Sequence, residues 1–453
     1  MRIKQISVSG LFGIFDHVIP LNIDERITII HGPNGFGKTA VLRLLNGLFN
    51  SRYSELKAIP FSNFRVDFDD DSSIEITKNI NHLENAEKSN NIINFNFYKP
   101  NSETVCFTLE NIKISLGIDF PIEILEETIP GLRQVAPKIW RYVPTGETLS
   151  LEEVLERFEN LLPFEVKSRE DSEWLRQLKS NIHVRLIESQ RLLNLVPNRS
   201  SRMNYGTPSM LPTVSAYSDE LAKFMRDKFT EYGTTSQSLD RTFPVRVVKQ
   251  QSSPDLTEEQ LRDQLNQLEE TRSRLVAVGL LNKDENSDFQ IQAEAIDENT
   301  KNILSVYVDD VEKKLSVFND IANKIDLLKR IINNKFSYSY KQINFNKEKG
   351  FVFTARYDPS STDSKTLSPA DLSSGEQHEL VLLYELLFKV KPGSLVLIDE
   401  PELSLHVGWQ VQFLKDLQEI TKLADLDILM ATHSPDIIQD RWDLTVELKR
   451  PES

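Results

Sequence analysis

Arg26-Ile27-Thr28-Ile29-Ile30-His31-Gly32-Pro33-Asn34-Gly35-Phe36-Gly37-Lys38-Thr39 passes from an apolar run into a glycine-rich turn. Arg26 to Ile30 read as a short buried strand, because an apolar run of that length stops at a turn signal. Gly32 to Thr39 match G-x-x-x-x-G-K-[ST], and Thr39 to Phe49 then show helical periodicity. In a strand, loop and helix of this kind, glycines let the loop fold tightly enough for backbone N–H groups to face phosphate oxygens. The helix N-terminus adds its positive pole. The candidate phosphate-binding residues are therefore Gly32, Pro33, Asn34, Gly35, Phe36, Gly37, Lys38 and Thr39. Lys38 is the point charge for the outer phosphates, and Thr39 offers a hydroxyl to Mg²⁺.

Near the other end, Leu395-Val396-Leu397-Ile398-Asp399-Glu400 is an apolar strand that ends in two carboxylates. Phosphoryl chemistry needs such a pair: Asp399 can hold the Mg²⁺ shell while Glu400, next along, polarises the attacking water. Between the two regions stands Leu372-Ser373-Ser374-Gly375-Glu376-Gln377, followed by the helical run Glu379 to Phe388. A Ser-Gly turn opening a helix is another anion site. Ile428-Leu429-Met430-Ala431-Thr432-His433-Ser434 completes the set.

In this order the motifs resemble the ATP-binding cassette (ABC) ATPases, over roughly residues 1 to 50 and 368 to 440. The resemblance implies an ATPase with ATP and Mg²⁺ as cofactors. Gly32 to Thr39 would be the Walker A loop, Leu395 to Glu400 the Walker B strand, Leu372 to Gln377 the signature motif and His433 the switch histidine. It further implies that Ser373 and Gly375 contact the γ-phosphate of ATP held by a second subunit, in a homodimer or higher homo-oligomer with shared sites. Gln190, which closes the strand Val184 to Ile187, matches the Q-loop residue that reaches Mg²⁺ or the attacking water. The resemblance thus gives Glu400, His433 and Gln190 as catalytic residues and Thr39, Asp399 and Gln190 as metal-holding ones. Ser374 stands where the signature usually has a second Gly, and His406 where transporter cassettes carry an Asp. Phe12 and Phe15 lie near the region of the adenine-stacking aromatic, without an assignment to either.

The wide separation of Lys38 from Asp399 narrows the subclass. Transporter cassettes are compact, whereas ATPases of the SMC, RecF and OLD-like (AAA ATPase) class split their head around a helical insertion. The segments Glu400-Pro401-Glu402-Leu403-Ser404-Leu405-His406, Ala431-Thr432-His433-Ser434-Pro435 and Asp440 to Thr445 look like the ATPase subunits of two-gene bacterial phage-defence systems such as PARIS. That resemblance implies a sensor or scaffold that holds a separate nuclease effector until a phage-encoded trigger protein acts. The alternative is a DNA-repair or chromosome-maintenance ATPase of the RecF/SMC type that binds DNA directly. A transporter cassette is a third reading, opposed by the long insertion.

Composition bounds these readings. The 453 residues suffice for two or three domains, and 39% hydrophobic with 27% charged residues describes an ordinary globular chain. With 53 basic and 68 acidic residues the net charge is -15, so DNA contact is not favoured. It would require a local patch such as Arg199, Arg202, Arg241, Arg246 and Lys249. One cysteine, Cys106, rules out an internal disulfide and a Cys-rich zinc site. No window approaches the ~18 apolar residues of a spanning helix, so no membrane contact and a cytoplasmic location are expected.

The expected fold class is α/β: an ABC-type P-loop ATPase head with a mixed sheet and an antiparallel meander, interrupted by a helical or coiled-coil insertion. Residues 1–200 form the N-terminal part of the head, 201–335 the insertion and 336–453 the C-terminal part. Strands are expected at Ile3 to Val8 and Val18 to Ile23, with Pro20 confining the second to an edge. A meander follows from Phe64/Val66/Phe68, Ile74/Ile76, Ile93/Phe95/Phe97 and Val105/Phe107/Leu109. Residues 120–180 read as helical, with Ser150-Leu151-Glu152-Glu153 as a capping box opening a helix to Leu161, and residues 197–218 as a long loop. A second capping box at Thr257 to Gln260 opens a helix. Residues 298–335 keep heptad spacing from Leu304 to Ile332, so this helix either pairs with the previous one as a hairpin or joins a packed helical subdomain.

Overall fold

Period-two burial along the N-terminal third gives an antiparallel sheet of β1 (Ile3–Leu11), β2 (Phe15–Pro20), β4 (Asn63–Phe68), β5 (Ser73–Asn79), β6 (Ile92–Tyr98) and β7 (Val105–Leu109). In this computed structural model the described residues are 1–79, 92–100, 102–109, 125–126, 129, 131–158, 172–188, 193–195, 210–249, 257–282, 297–356, 365–403 and 405–450. Strand order is β2-β1-β4-β5-β6-β7, which places the Pro20-bearing strand at an edge, where a missing N–H disrupts no further pairing. Ile6, Val8, Phe64, Val66, Ile74, Ile76 and Phe95 all point to one face and are buried.

A second, all-parallel sheet is assembled from distant parts of the chain: β3 (Ile27–His31), β11 (Val184–Ile187), β17 (Leu395–Asp399), β18 (Asp427–Ala431) and β19 (Thr445–Glu447), in the order β11-β17-β18-β3-β19. Parallel strands covered on both faces read as continuous apolar runs, and β3 and β17 bury four of five residues each. Helix α1 (Lys38–Phe49) covers this sheet with Val41, Leu42, Leu45 and Leu48, and one core joins both sheets through Phe64, Leu397 and Leu429. On the expected helical stretch 120–180 the structure corrects the reading. β8 (Leu132–Ala136), β9 (Ile139–Tyr142) and β10 (Glu147–Ser150) form a small antiparallel sheet, because Trp140, Tyr142 and Leu149 alternate inward. The Ser150 capping box is present and opens the helix Leu151–Arg157.

The chain divides into two units, Met1–Thr213 with Glu385–Ser453, and Val214–Tyr384. The second unit includes the hairpin β14 (Lys341–Asn346) and β15 (Gly350–Ala355), with β16 (Lys365–Leu367) beside it, and the helix Ser374–Tyr384. Its long helices are Thr213–Lys249, Glu258–Ala277, Glu298–Ser316 and Asn319–Phe336. The first begins inside the expected loop 197–218. The single heptad run from Leu304 to Ile332 is divided at Val317 and Phe318, where the fully buried Phe318 packs on Tyr232 at 5.2 Å. Helix Glu258–Ala277 lies against helix Glu298–Ser316, and Arg274 reaches Asp326 at 2.5 Å.

Leu397 sits in β17 with both neighbours paired and no exposed surface. Leu397→Ala should therefore cost about 2–5 kcal/mol of stability, read as a lowered midpoint in chemical denaturation. An unchanged midpoint would show that the parallel sheet is not the core described here.

Candidate nucleotide-binding site

All strands of the parallel sheet run the same way, so their C-terminal ends share one edge. There β3 delivers Gly32, β17 delivers Asp399 and Glu400, β18 delivers Thr432 and His433, and β11 delivers Glu188. Pairing continues just beyond the strands: the Thr432 N–H donates to Ile30 O at 3.1 Å and the Glu400 N–H to Ala431 O at 2.9 Å. The connections therefore leave the sheet side by side.

Gly37 has φ +90°, and a Cβ there would run into the Leu11 side chain, which explains a glycine just before α1. His17, on β2, contacts the Phe36 carbonyl through Nε2 at 2.9 Å and so supports the loop from below. The buried Lys38 ammonium donates to Gly32 O at 2.8 Å and Pro33 O at 3.2 Å, and faces His433 Nδ1 at 3.4 Å. Burial lowers its pKa, while Glu400, Asp399 and Glu402 oppose the shift. Thr39 Oγ1 donates to Asp399 Oδ1 at 3.0 Å. Burial pushes the Asp399 carboxyl up to about 6, against the hydrogen bond from Thr39, with Glu400 adding to the rise.

Glu400 occupies the left-handed region at φ +44°, a conformation that costs a non-glycine residue roughly 1 kcal/mol or more. His433 Nε2 lies 3.5 Å from Glu400 Oε1. The two ring nitrogens of His433 thus face Lys38 and Glu400. Glu402 supplies a contact that the sequence reading missed: its Oε1 accepts the His433 backbone N–H at 2.7 Å. Ser434, next along, donates its hydroxyl to Gln410 Oε1 at 2.6 Å. Thirty-one residues separate Glu402 from His433, and only the adjacency of β17 and β18 joins them.

A cavity of about 110 Å³ opens beside Asp399, lined by Thr39, Arg43, Thr145, Glu147 and Glu188 among others. Arg157 donates to Glu147 at 2.6 Å and lies 3.7 Å from Glu188, while Arg43 lies 3.7 Å from Glu147. The β8–β10 sheet thus adds Glu147 to the cavity that Asp399 lines. Nothing local to Thr145-Gly146-Glu147 in the sequence signals this.

A hydroxyl and a carboxylate side by side are hard oxygen donors, and the raised Asp399 pKa marks a carboxylate that no neighbouring cation fully compensates. Thr39 and Asp399 accordingly fit Mg²⁺, an ion that commonly takes few protein ligands and completes its shell with phosphate and water. Among the described residues no group of three or more His, Cys, Asp and Glu converges as a metal site. Asp70, in the acidic turn Asp69 to Asp71, accepts from the Ser72 N–H at 3.1 Å. Gln190 lies outside the described residues. Ser373 and Gly375 belong to the second unit, where Ser373 Oγ caps the helix Ser374–Tyr384 by accepting the Glu376 N–H at 3.3 Å. His406 caps the helix Val407–Ala424 through Nδ1, which accepts the Gly408 N–H at 3.1 Å.

Comparison with known proteins gives the class. The profile of the AAA ATPase domain family matches residues 1–438, and the chain belongs to that family. It is an ATPase. Similar solved structures include the Smc head domain with an extended coiled coil bound to the C-terminal domain of ScpA, from Pyrococcus furiosus. That likeness has 12% identity over 99% of this chain and 94% of that one, with a TM-score of 0.34. The SMC head domain from Thermotoga maritima has 10% identity over 97% and 92%, with a TM-score of 0.34. No curated protein matches the chain.

Lys38→Ala removes the one ammonium inside the loop without opening a core. Thermal unfolding of wild type should shift upward with Mg²⁺-ATP, whereas folded Lys38→Ala should show a shift of less than ~1 °C. An equal shift in both proteins would refute the placement of phosphate at Lys38.

Proposed function

We propose that this ATPase is the sensor or scaffold subunit of an antiviral defence complex and controls a separate nuclease effector. The chemistry rests on the meeting of Thr39 with Asp399, and of Lys38 with His433 and Glu400, at one sheet edge. In this reading the backbone of Gly32, Pro33, Asn34, Gly35, Phe36 and Gly37 surrounds the phosphates, and Lys38 turns from the loop carbonyls to the outer phosphates. Thr39 and Asp399, with Gln190, hold Mg²⁺, whose charge would offset that of the phosphates. Glu400 accepts the proton of the attacking water, and His433 orients against both Glu400 and the terminal phosphate. Phe12, exposed on the β1–β2 turn and beside Gly37, offers a ring face to the adenine. Ser373 and Gly375 of a second copy complete the site.

The defence assignment is supported by the resemblance of Glu400 to His406 and Ala431 to Pro435. A RecF/SMC-type ATPase acting on DNA is equally consistent with the family. Against direct DNA contact stand the net charge of -15 and the engagement of Arg246 by Asp310, which removes one cation from the basic patch. Arg199 and Arg202 lie outside the described residues. Among the described residues no helix is long and apolar enough to cross a membrane, and we place the protein in the cytoplasm.

Glu400→Gln should retain Mg²⁺-ATP binding and lose turnover by about 100-fold or more. With ATP, light scattering should then show a stable dimer or larger assembly of this variant and monomers of Lys38→Ala. Identical assemblies, with the same proteins retained on purification from native cells, would count against a nucleotide-driven switch. Tight, salt-dependent binding of duplex DNA by the chain alone would favour the repair reading.

A further inference from the structure

Glu376 is 3% exposed, yet it stands in the first turn of the helix Ser374–Tyr384, where a glutamate usually faces water. Both its oxygens are engaged. Oε2 accepts the Ser373 N–H at 2.7 Å and the Lys341 ammonium at 2.8 Å, and Oε1 accepts the Ser339 hydroxyl at 2.7 Å. Ser373 Oγ returns a bond to the Glu376 N–H, which closes a capping box. Lys341 also donates to Asp371 O at 3.2 Å, and Gln377 Nε2 donates to Leu372 O at 2.9 Å. One helical turn further on, Lys335 and Glu379 form a second ion pair, with side chains 1% and 0% exposed.

We propose that Glu376 is a positioning residue: with Lys341 as its charge partner, it fixes the Leu372 to Gln377 turn, and hence Ser373 and Gly375, against the segment that leaves the helix Asn319–Phe336. A capping box alone needs neither a lysine, here with its side chain 12% exposed, nor a serine from more than thirty residues earlier. Burying a carboxylate is costly unless it is paired and hydrogen-bonded, so these contacts specify a geometry as well as a helix start. Burial would raise the Glu376 pKa, but the bonds from Lys341, Ser339 and the Ser373 N–H outweigh it and keep the group ionised. Residues 376 and 379 lie on one helix face and pair with lysines on either side of the turn Ser337–Ser339. The Ser373 turn therefore cannot shift against that turn without breaking two charge pairs. A change in the insertion helices would be felt at Ser373.

This inference rests on the shared-site role of Ser373 proposed above, and the test separates the two. ATP turnover, affinity for Mg²⁺ with a non-hydrolysable ATP analogue, and thermal midpoint are measured on full-length Glu376→Gln, Lys341→Met, Lys341→Arg, Ser339→Ala and Ser373→Arg. Glu376→Gln and Lys341→Met should lose kcat by about tenfold or more while analogue affinity stays within about twofold. The double variant should fall no lower than the worse single one. Lys341→Arg, which keeps the charge, should recover most of the loss. Ser339→Ala removes one hydroxyl without leaving a charge unpaired, so it should fold and show a smaller fall in kcat. Wild-type kcat in both folded Glu376→Gln and Ser339→Ala, with Ser373→Arg inactive, would overturn the positioning role alone. A loss of kcat that only follows the loss of folded protein would overturn it too. Full turnover in Ser373→Arg would overturn the shared-site reading, and this inference with it.

Discussion

Parallel pairing of β18 between β3 and β17 is the constraint on which the site depends. The residues it joins are far apart in the chain, and each connection is local to its own strand end. Because parallel strands end at the same edge, the glycine loop, the Asp399-Glu400 pair and the His433 turn have no freedom to separate. The apolar runs of these strands, buried on both faces, therefore determine the geometry of the site as much as stability. The Glu400 N–H to Ala431 O bond shows how: the ladder that holds the sheet also fixes the backbone that carries the Glu400 carboxylate.

Strain and uncompensated charge collect at that edge. Glu400 takes a positive φ, Lys38 is a buried ammonium with loop carbonyls for partners, and Asp399 is a half-buried carboxyl with a raised pKa. Each is expensive alone. They are affordable because the surrounding core is rigid and closely packed, with α1 on one side and β11 on the other. Groups whose environment pushes their pKa away from the ordinary range are also those suited to binding charge or moving protons.

Several features that are local in sequence were legible: the glycine loop, the acidic strand end, both capping boxes and the β4–β7 meander. Short strands, a break within one apolar pattern and contacts between distant segments were not. The β8–β10 sheet has strands of four or five residues, too short for alternation to outweigh the helix signal that begins at Ser150. The division at Phe318 escaped because apolar spacing continues through it; side-chain periodicity does not register a brief pause in backbone hydrogen bonding. Glu402 was visible only as part of a motif, since its bond to His433 exists only once β17 and β18 are neighbours. Glu376 stood in the sequence only as one position of the Leu372 to Gln377 segment, and nothing in its own turn announced Lys341 or Ser339.

The charges at the sheet edge limit how this chain can hold a triphosphate. Asp399, Glu400, Glu402, Glu188 and Glu147 stand near the loop, and the nearby cations are partly spent, since Glu147 draws on both Arg43 and Arg157. The chain as a whole adds a net charge of -15. Long-range attraction cannot bring an anion here. What remains acts at contact distance: backbone N–H groups of the loop, the positive end of α1 and the single ammonium of Lys38. Under the proposed assignment, a hard divalent cation held by Thr39 and Asp399 would balance the excess of carboxylate. Affinity would then belong to the cation–triphosphate complex as one ligand, in keeping with an Asp399 that stands half-buried beside Thr39 instead of being paired with an arginine. A permanent arginine partner would neutralise the carboxylate in advance and leave nothing for the cation to satisfy.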